Sequence, residues 1–320
     1  MRSPAARVLE LLYDRREASV AREELAEAAS LSARGLTGAL EDLRERGQRI
    51  EISTAHGVRL VCPVRLDADL IERRLGTRRV GRSVICFPDV DSTNDVAFEA
   101  ARQRSCDGLV VLAEHQRRGR GRLGRRWESP PGANVLMSVL LVDDNLPQEA
   151  VTIAGGLAVA QGVEDACGLP CQLKWPNDVC IDGRKVAGVL VEVRKRGPRR
   201  CVIVGIGINA NASPPSSEVD RPATDLAAQT HAPLERIEVV RAVLRRLDRW
   251  IEEAGRGRLG KLHEAWVRRC GMLNQRVAVL SAGRRCVGRV LDVDPLHGLV
   301  LRGDEGHVFH IPAATATVLP

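Results

Sequence analysis

The chain has 320 residues, 44% hydrophobic and 28% charged, with a formal net charge of +7. That length suits two or three domains with real cores. No apolar run approaches the roughly 20 residues that a membrane span needs, and Met1-Arg-Ser-Pro leads straight into charged sequence without a signal-like apolar stretch, so a cytoplasmic, soluble protein without membrane association is expected.

The basic surplus is uneven. Residues 1–62 hold ten arginines against ten acids and residues 271–320 five against four, so the excess belongs to the middle of the chain, where it points to an anionic small ligand at least as well as to nucleic acid. Only four of the 48 basic residues are lysines: Lys174, Lys185, Lys195 and Lys261. The nine cysteines form no C-x-x-C pair and sit singly among apolar residues, as buried reduced thiols do, and they are not expected to hold metal.

In chain order, residues 5–46 carry three helical patterns: residues 7–13, residues 21–29, and Ser32 onward with Leu36, Leu40 and Leu43 on one stripe. Ser32 is placed to cap the third. Residues 50–61 alternate around His56-Gly57 as a hairpin, and three helices plus a hairpin make a winged helix-turn-helix. Its third helix offers Arg34, Thr37 and Arg44 as donors to DNA, but sets Glu41 and Asp42 where phosphates would repel them.

Residues 63–83 read as a linker with a short helix, after which residues 84–87 begin a new core. Asp91-Ser-Thr-Asn-Asp95 opens a helix, and Ser92, Thr93 and Asn94 offer either an N-cap or ligand contacts. Residues 108–114 and 134–141 are apolar enough to be buried strands. Between them lies His115-Gln-Arg-Arg-Gly-Arg-Gly-Arg-Leu-Gly-Arg-Arg-Trp127, in which six of the ten residues from Arg117 to Arg126 are arginine and three are glycine. Glycines let the backbone approach a ligand while guanidinium forks and peptide N–H groups match phosphate oxygens, so the segment reads as a phosphate loop. It also satisfies G-x-G-x-x-G, but the prolines at 130 and 131 exclude the helix that a dinucleotide fingerprint requires. With no core of its own and with repelling arginines, the loop is expected to be mobile without ligand.

Lys174-Trp-Pro-Asn-Asp178 follows, then a hairpin turning at Asp182-Gly183 and two strands, residues 186–192 and 202–209, interrupted by glycines where a ligand can come close. Residues 234–254 and 259–269 are helical and are expected to cover the sheet; from Arg276 the period changes to two, in four or five short strands that suggest a small SH3-like barrel. His307 and His310 would face opposite sides of a strand and read as structural.

Taken together, Asp91-Ser-Thr-Asn94, Gln116 with Gly119-Arg-Gly-Arg-Leu-Gly-Arg-Arg-Trp127, Ser129-Pro with Gly132-Ala-Asn134, Lys174-Trp-Pro-Asn-Asp178, Lys185-Val-Ala-Gly188 and Gly205-Ile-Gly-Ile-Asn209 resemble biotin–protein ligases. The likeness is to the bifunctional type whose amino-terminal winged helix also represses the biotin operon. It implies an α/β multidomain chain, with a winged helix-turn-helix over residues 1–62, a linker over 63–83, a catalytic domain over 84–270 with a mixed sheet and flanking helices like class II synthetases, and an SH3-like domain over 271–320. It further implies ATP and Mg²⁺, formation of biotinyl-5′-AMP, transfer to a lysine of a biotin carboxyl carrier domain, a homodimer, and operator DNA as a second partner of the amino-terminal domain.

By the same resemblance Lys185, Arg120, Arg122 and Asp178 are the catalytic candidates. Ser92, Thr93, Asn94, Gln116, Gly119, Arg120, Lys185, Gly188 and Gly207 are candidates for biotin, and Arg120, Arg122, Trp127, Asn177, Lys185 and Asn209 for ATP or the adenylate. No protein ligand for a metal is assigned. A lipoate-type ligase and a non-catalytic biotin-sensing repressor are the rival readings. The Gly-Arg-Gly-Arg and Lys-Trp-Pro-Asn-Asp motifs disfavour the first, and the intact loop with Lys185 disfavours the second.

Overall fold

A computed structural model describes residues 3–16, 18–53, 56–102, 106–142, 145–215, 222–294 and 296–319. Its centre is a seven-stranded mixed sheet in the order β3-β4-β5-β9-β8-β7-β6. The strands are β3 (Ser83–Phe87), β4 (Leu109–Ala113), β5 (Val135–Val142), β6 (Gln172–Lys174), β7 (Asp178–Ile181), β8 (Arg184–Arg196) and β9 (Arg199–Ile208), and only β3 and β4 pair in parallel.

Continuous apolar runs make these strands because both faces of the sheet are covered. Val110, Leu112, Val139, Leu141, Val202 and Val204 point into the main core, while Leu109, Val111, Leu140, Val142, Cys201 and Ile203 alternate with them into a second cluster. Two 20-residue helices, α6 (Gln148–Cys167) and α8 (Arg236–Gly255), pack together over the first face with α9 (Leu259–Val267). The eight-residue α5 (Thr93–Ala100) covers the second through Ala97 and Ala101. Trp266 of α9 is wholly buried, as a packing residue. The hairpin between β7 and β8 turns at Asp182-Gly183, both at positive φ.

Before the sheet come α1 (Pro4–Asp14), α2 (Arg22–Ala28) and α3 (Ala33–Glu45), then the hairpin of β1 (Ile50–Ser53) and β2 (Gly57–Leu60). The Ser32 hydroxyl accepts from Gly35 N at 3.1 Å and caps α3. Of the donors on α3, Arg44 is spent on the Ile50 carbonyl at 3.0 Å and the Thr37 hydroxyl on the Ala33 carbonyl at 3.1 Å, whereas Arg34 stays exposed.

The segment at 63–83 is packed. It contains α4 (Ala68–Glu72), and Val64, Leu66, Leu70, Ile71, Leu75 and Val80 are all buried. Its anchor is an ion pair inside the protein: Arg236 at the start of α8 donates to Glu114 at 2.7 and 3.3 Å, and Glu114 Oε1 accepts from Leu66 N at 2.8 Å.

After α7 (Leu226–Thr230), α8 and α9, the chain ends in a five-stranded antiparallel sheet in the order β13-β12-β11-β10-β14. Its strands are β10 (Arg276–Ser281), β11 (Arg284–Asp294), β12 (Gly298–Arg302), β13 (Val308–Ile311) and β14 (Ala316–Val318). His263 of α9 meets Asp292 of β11 at 2.7 Å, which ties this sheet to the helical layer. His310 packs edge-on against His297, and His307 is exposed beside Glu305. All nine cysteines are free thiols. No helix among the described residues is long and apolar enough to cross a membrane.

Candidate active site

A cleft lies on the central strands. Met137 of β5, Gly205 and Gly207 of β9 and Gly188 of β8 form its floor. Gly188 and Gly207 are directly paired across β8 and β9, and a side-chain carbon at Gly207 would collide with the indole of Trp127. Two glycines in register thus make a shallow bay where a flat ring rests on backbone. The Trp127 indole N–H is buried and has no hydrogen-bond partner among the described residues.

One wall is polar and neutral. Thr93, first residue of α5, donates its backbone N–H to Gln116 Oε1 at 2.8 Å, and its hydroxyl donates to the same oxygen at 3.1 Å. Ser92 occupies the N-cap position without a side-chain capping bond, and its hydroxyl belongs to the cleft lining. The expectation of a capping or a ligand-facing cluster thus divides: the backbone of this segment starts the helix, and its residues line the cleft while the Asn94 amide is bonded to Ser138 and Glu192.

The opposite wall is cationic. Lys185, at the start of β8, places Nζ 2.6 Å from Asp178 Oδ1 and 5.5 Å from the centre of the Trp127 ring. Asp178 is 7% exposed, and its strand β7 pairs it with Gly188, so the lysine, the carboxylate and the glycine bay are built by one hairpin. Asn177 is pinned through Nδ2 to the Val189 carbonyl at 2.8 Å, and its Oδ1 faces Arg122 at 3.4 Å. Arg122 reaches past the cleft to the Ala313 and Ala316 carbonyls, the latter at 2.9 Å. Burial holds its guanidinium below the usual arginine range, with the Asp178 and Glu149 carboxylates opposing that shift.

Arg120 makes a bidentate pair with Asp95 at 2.6 and 2.9 Å, and lies 3.5 Å from Glu192. Arg194 joins the same two acids at 3.0 and 2.8 Å. Hydrogen bonding from Arg120 holds the Asp95 carboxyl below the usual carboxylate range, and the same contact raises Arg120.

The arginines of the loop find partners outside it. Arg117 pairs with Asp91 at 2.7 Å and with Asp89, Arg120 with Asp95, and Arg126 with Glu128 at 3.0 Å. Backbone bonds from Gly121 N to Arg125 O at 2.7 Å and from Trp127 N to Gly119 O at 3.0 Å close the loop on itself around a 3-10 turn at Arg122–Gly124. The repulsion expected between arginines is offset by acids outside the loop.

Of the candidates, Ser92, Thr93, Asn94, Gln116, Arg120, Arg122, Trp127, Asn177, Asp178, Lys185, Gly188 and Gly207 all line this one cleft. Gly119 and Asn209 stand off it. A side chain at Gly119 would run into the Trp127 carbonyl, and Asn209 is 2% exposed behind the floor, donating to the Thr224 carbonyl at 3.1 Å. Residues that sequence reasoning passed over are Asp95, Met137, Ser138, Glu192, Thr317 and Val318. Ser138 and Glu192 had a signal, each being the lone polar residue of an apolar run (residues 135–142 and 186–193). Thr317 and Val318 lacked one, since only folding brings the last strand to the cleft.

Comparison with known proteins agrees with this geometry. The profile of the Biotin/lipoate A/B protein ligase family matches residues 86–209. The bifunctional ligase/repressor BirA of Bacillus subtilis is 32% identical over 243 residues, covering 74% of this chain and 75% of that protein. The biotin–[acetyl-CoA-carboxylase] ligase of Mycobacterium tuberculosis is 34% identical, covering 72% of this chain and 89% of its own length. Among solved structures, the biotin protein ligase of Aquifex aeolicus in complex with biotin and ATP superposes with a TM-score of 0.63 at 28% identity, covering 74% of this chain and 99% of that one.

Proposed function

Since this chain belongs to the biotin/lipoate A/B protein ligase family, we propose that it is a biotin–protein ligase. It activates biotin with ATP and transfers it to a lysine of the biotin carboxyl carrier domain of a carboxylase. The observation that carries the reading is the convergence of Lys185, Arg120 and Arg122 on a glycine-floored cleft whose other wall is neutral and polar.

In the first step a carboxylate oxygen of biotin attacks the α-phosphorus of ATP and pyrophosphate leaves. Two anions must meet, so fixed cations that are strongest when charge develops do most of the work. Lys185 contacts the reacting carboxylate and α-phosphate, with Asp178 holding its ammonium at 2.6 Å. Arg120 and Arg122 take the phosphate side. Ser92, Thr93, Asn94 and Gln116 face the ureido ring, and Gly188 and Gly207 seat the Trp127 indole and so shape the space left for ring and valeryl chain. Trp127 offers its face to adenine, with Asn177 toward the phosphates; Gly119 and Asn209 act from behind by shaping the loop and the Thr224 segment. In the second step the acceptor amine attacks the acyl carbon and AMP leaves, with Asp178 orienting the amine or taking its proton.

Mg²⁺ accompanies the nucleotide. Among the described residues no three His, Cys, Asp or Glu side chains cluster to hold a metal; an ion carried by the nucleotide would offset phosphate charge beside Arg120, Arg122 and Lys185, and no step is assigned through it.

We further propose that residues 1–62 form a winged helix-turn-helix, 63–83 a packed connector, 84–270 the catalytic domain and 271–320 an SH3-like domain. The three helices and hairpin at one end and the five-stranded sheet at the other support this division. A homodimer, a cytoplasmic location and operator binding through Arg34 and its neighbours complete the proposal; the repressor names of relatives support the operator binding.

The test is incubation with biotin, ATP, Mg²⁺ and a carrier domain, read by mass spectrometry, with lipoate in parallel. A single biotinyl addition is expected. Modification by lipoate alone, or none despite bound biotin, overturns the reading.

A further inference from the structure

Arg122 stands between two hollows. One is the cleft. The other is a cavity of about 140 Å³, lined by Glu149 and Thr152 of α6, Val189 and Val191 of β8, and Leu123 and Ala313. An arginine has a long stem with many rotamers, so with space on both sides its head stays on the cleft side only if something holds it there.

Backbone holds it. Arg122 Nη2 donates to the Ala316 carbonyl at 2.9 Å and to the Ala313 carbonyl, which leaves Nη1 facing Asn177 Oδ1 at 3.4 Å on the cleft side. Both carbonyls lie at the short turn, Ala313–Thr315, that carries the chain from β13 into β14. Strand pairing fixes the ends of that turn, Ile311 against Leu299 and Ala316 against Ser281. Its beginning is gripped from outside the sheet, where Glu149 Oε1 accepts the Ala313 N–H at 2.9 Å. Pro312 has no N–H to offer, so Ala313 is the first residue of the turn that can be held in this way.

Ala313, 5% exposed, is thus caught twice, its N–H by Glu149 and its carbonyl by Arg122. Glu149 lies in the first turn of α6, where the helix N-terminus favours an ionised carboxylate. Burial lowers the Arg122 guanidinium, and the Asp178 and Glu149 charges oppose that shift.

We propose that Glu149 is a positioning residue for adenylate formation: by gripping Ala313 it holds the carbonyls that aim the Arg122 guanidinium at the phosphate side of the cleft. The inference rests on the biotin-ligase reading and adds to it a residue that touches neither substrate. Without the grip, the turn shifts and Arg122 withdraws into the cavity beside Glu149, away from the nucleotide. Biotin, on the neutral wall, is unaffected.

The experiment measures single-turnover adenylate formation by the full-length protein over a range of ATP concentrations, with biotin binding read separately by calorimetry. Glu149→Ala should lower kcat/KM for ATP about tenfold, the effect of one lost hydrogen bond, and leave the dissociation constant of biotin unchanged. Glu149→Gln keeps an oxygen acceptor at the same reach and should recover most of the loss. Arg122→Met is slow by itself, and adding Glu149→Ala to it should slow it no further, because a residue that acts through another then has nothing to act on. Three results overturn the proposal: a normal rate in Glu149→Ala with only a lower melting temperature, an additive loss in the double variant, or Glu149→Gln as slow as Glu149→Ala. Should Glu149→Ala not fold, Ala313→Pro removes the gripped N–H instead. Pro312 lies at φ −63° and ψ 138°, a conformation that a following proline accepts, and a normal rate or an additive loss with Arg122→Met has the same force there. Failure of the parent to form an adenylate from biotin and ATP refutes the ligase reading, before any variant is compared.

Discussion

Replacing Lys185 by methionine removes the cation nearest the proposed reaction centre while keeping an unbranched apolar stem. Loss of one preorganised donor to developing charge typically costs about 10²–10³ in rate, or roughly 2.7–4 kcal/mol. The structure adds a second consequence. Asp178 has a side chain only 10% exposed, and it loses a partner at 2.6 Å, which costs on the order of 1–3 kcal/mol of stability. The two effects separate in the double variant Lys185→Met/Asp178→Asn, because the neutral amide removes the desolvated charge: stability should return and activity should not. Single-turnover formation of the adenylate, followed by pyrophosphate release, measures the first effect, and urea unfolding the second. An adenylation rate within about fivefold of the parent in the single variant would refute the role given to Lys185.

Further outcomes are expected from other parts of the molecule. Glu114→Ala strands the Arg236 guanidinium, whose side chain is 4% exposed, and should lower stability by about 3–5 kcal/mol in urea titration; a loss below about 1 kcal/mol would place this pair with ordinary surface bridges. Because Asp95 is held below the usual carboxylate range by Arg120, its contribution is fully present above the ordinary carboxylate pKa and is lost as pH falls through the lower folded value. The stability gap between the parent and Asp95→Asn should accordingly be constant near neutrality and close only in acid, and a gap that closes on raising pH contradicts the pairing. Burial pushes the Cys167 thiol up to about 11 and Cys171 up to about 12, so native protein near neutral pH should alkylate there on the order of 10²–10³ more slowly than a free thiol. Peptide mass spectrometry after iodoacetamide reads this directly, and rapid labelling of Cys171 would show that its surroundings open.

Much of this was legible from residue order alone. Apolar runs at 109–113, 135–142 and 202–208 are strands because most of their residues alternate between a core on one face and a core on the other, and such runs need no knowledge of the partner strand. The Asp182-Gly183 turn and the Ser32 cap are local chemistry and appear where the sequence puts them. So does the crowding of arginine and glycine between β4 and β5, and the ordered motifs that bring Lys185, Asp178 and Asn177 to one hairpin.

Only the tertiary structure decided how those charges are held. The arginines of the loop are paired with Asp89, Asp91, Asp95 and Glu192, acids whose pairing with particular arginines no local pattern encodes. Trp127 lies on a glycine pair contributed by two different strands. Arg122 finds carbonyls 191 and 194 positions away, and Ser138 finds Thr93 and Asn94 at separations of 45 and 44. The physical reason is common to all of these: propensity and periodicity act over a few residues, whereas compensation of a buried charge or a hydroxyl proton depends on what the fold brings within about 3 Å.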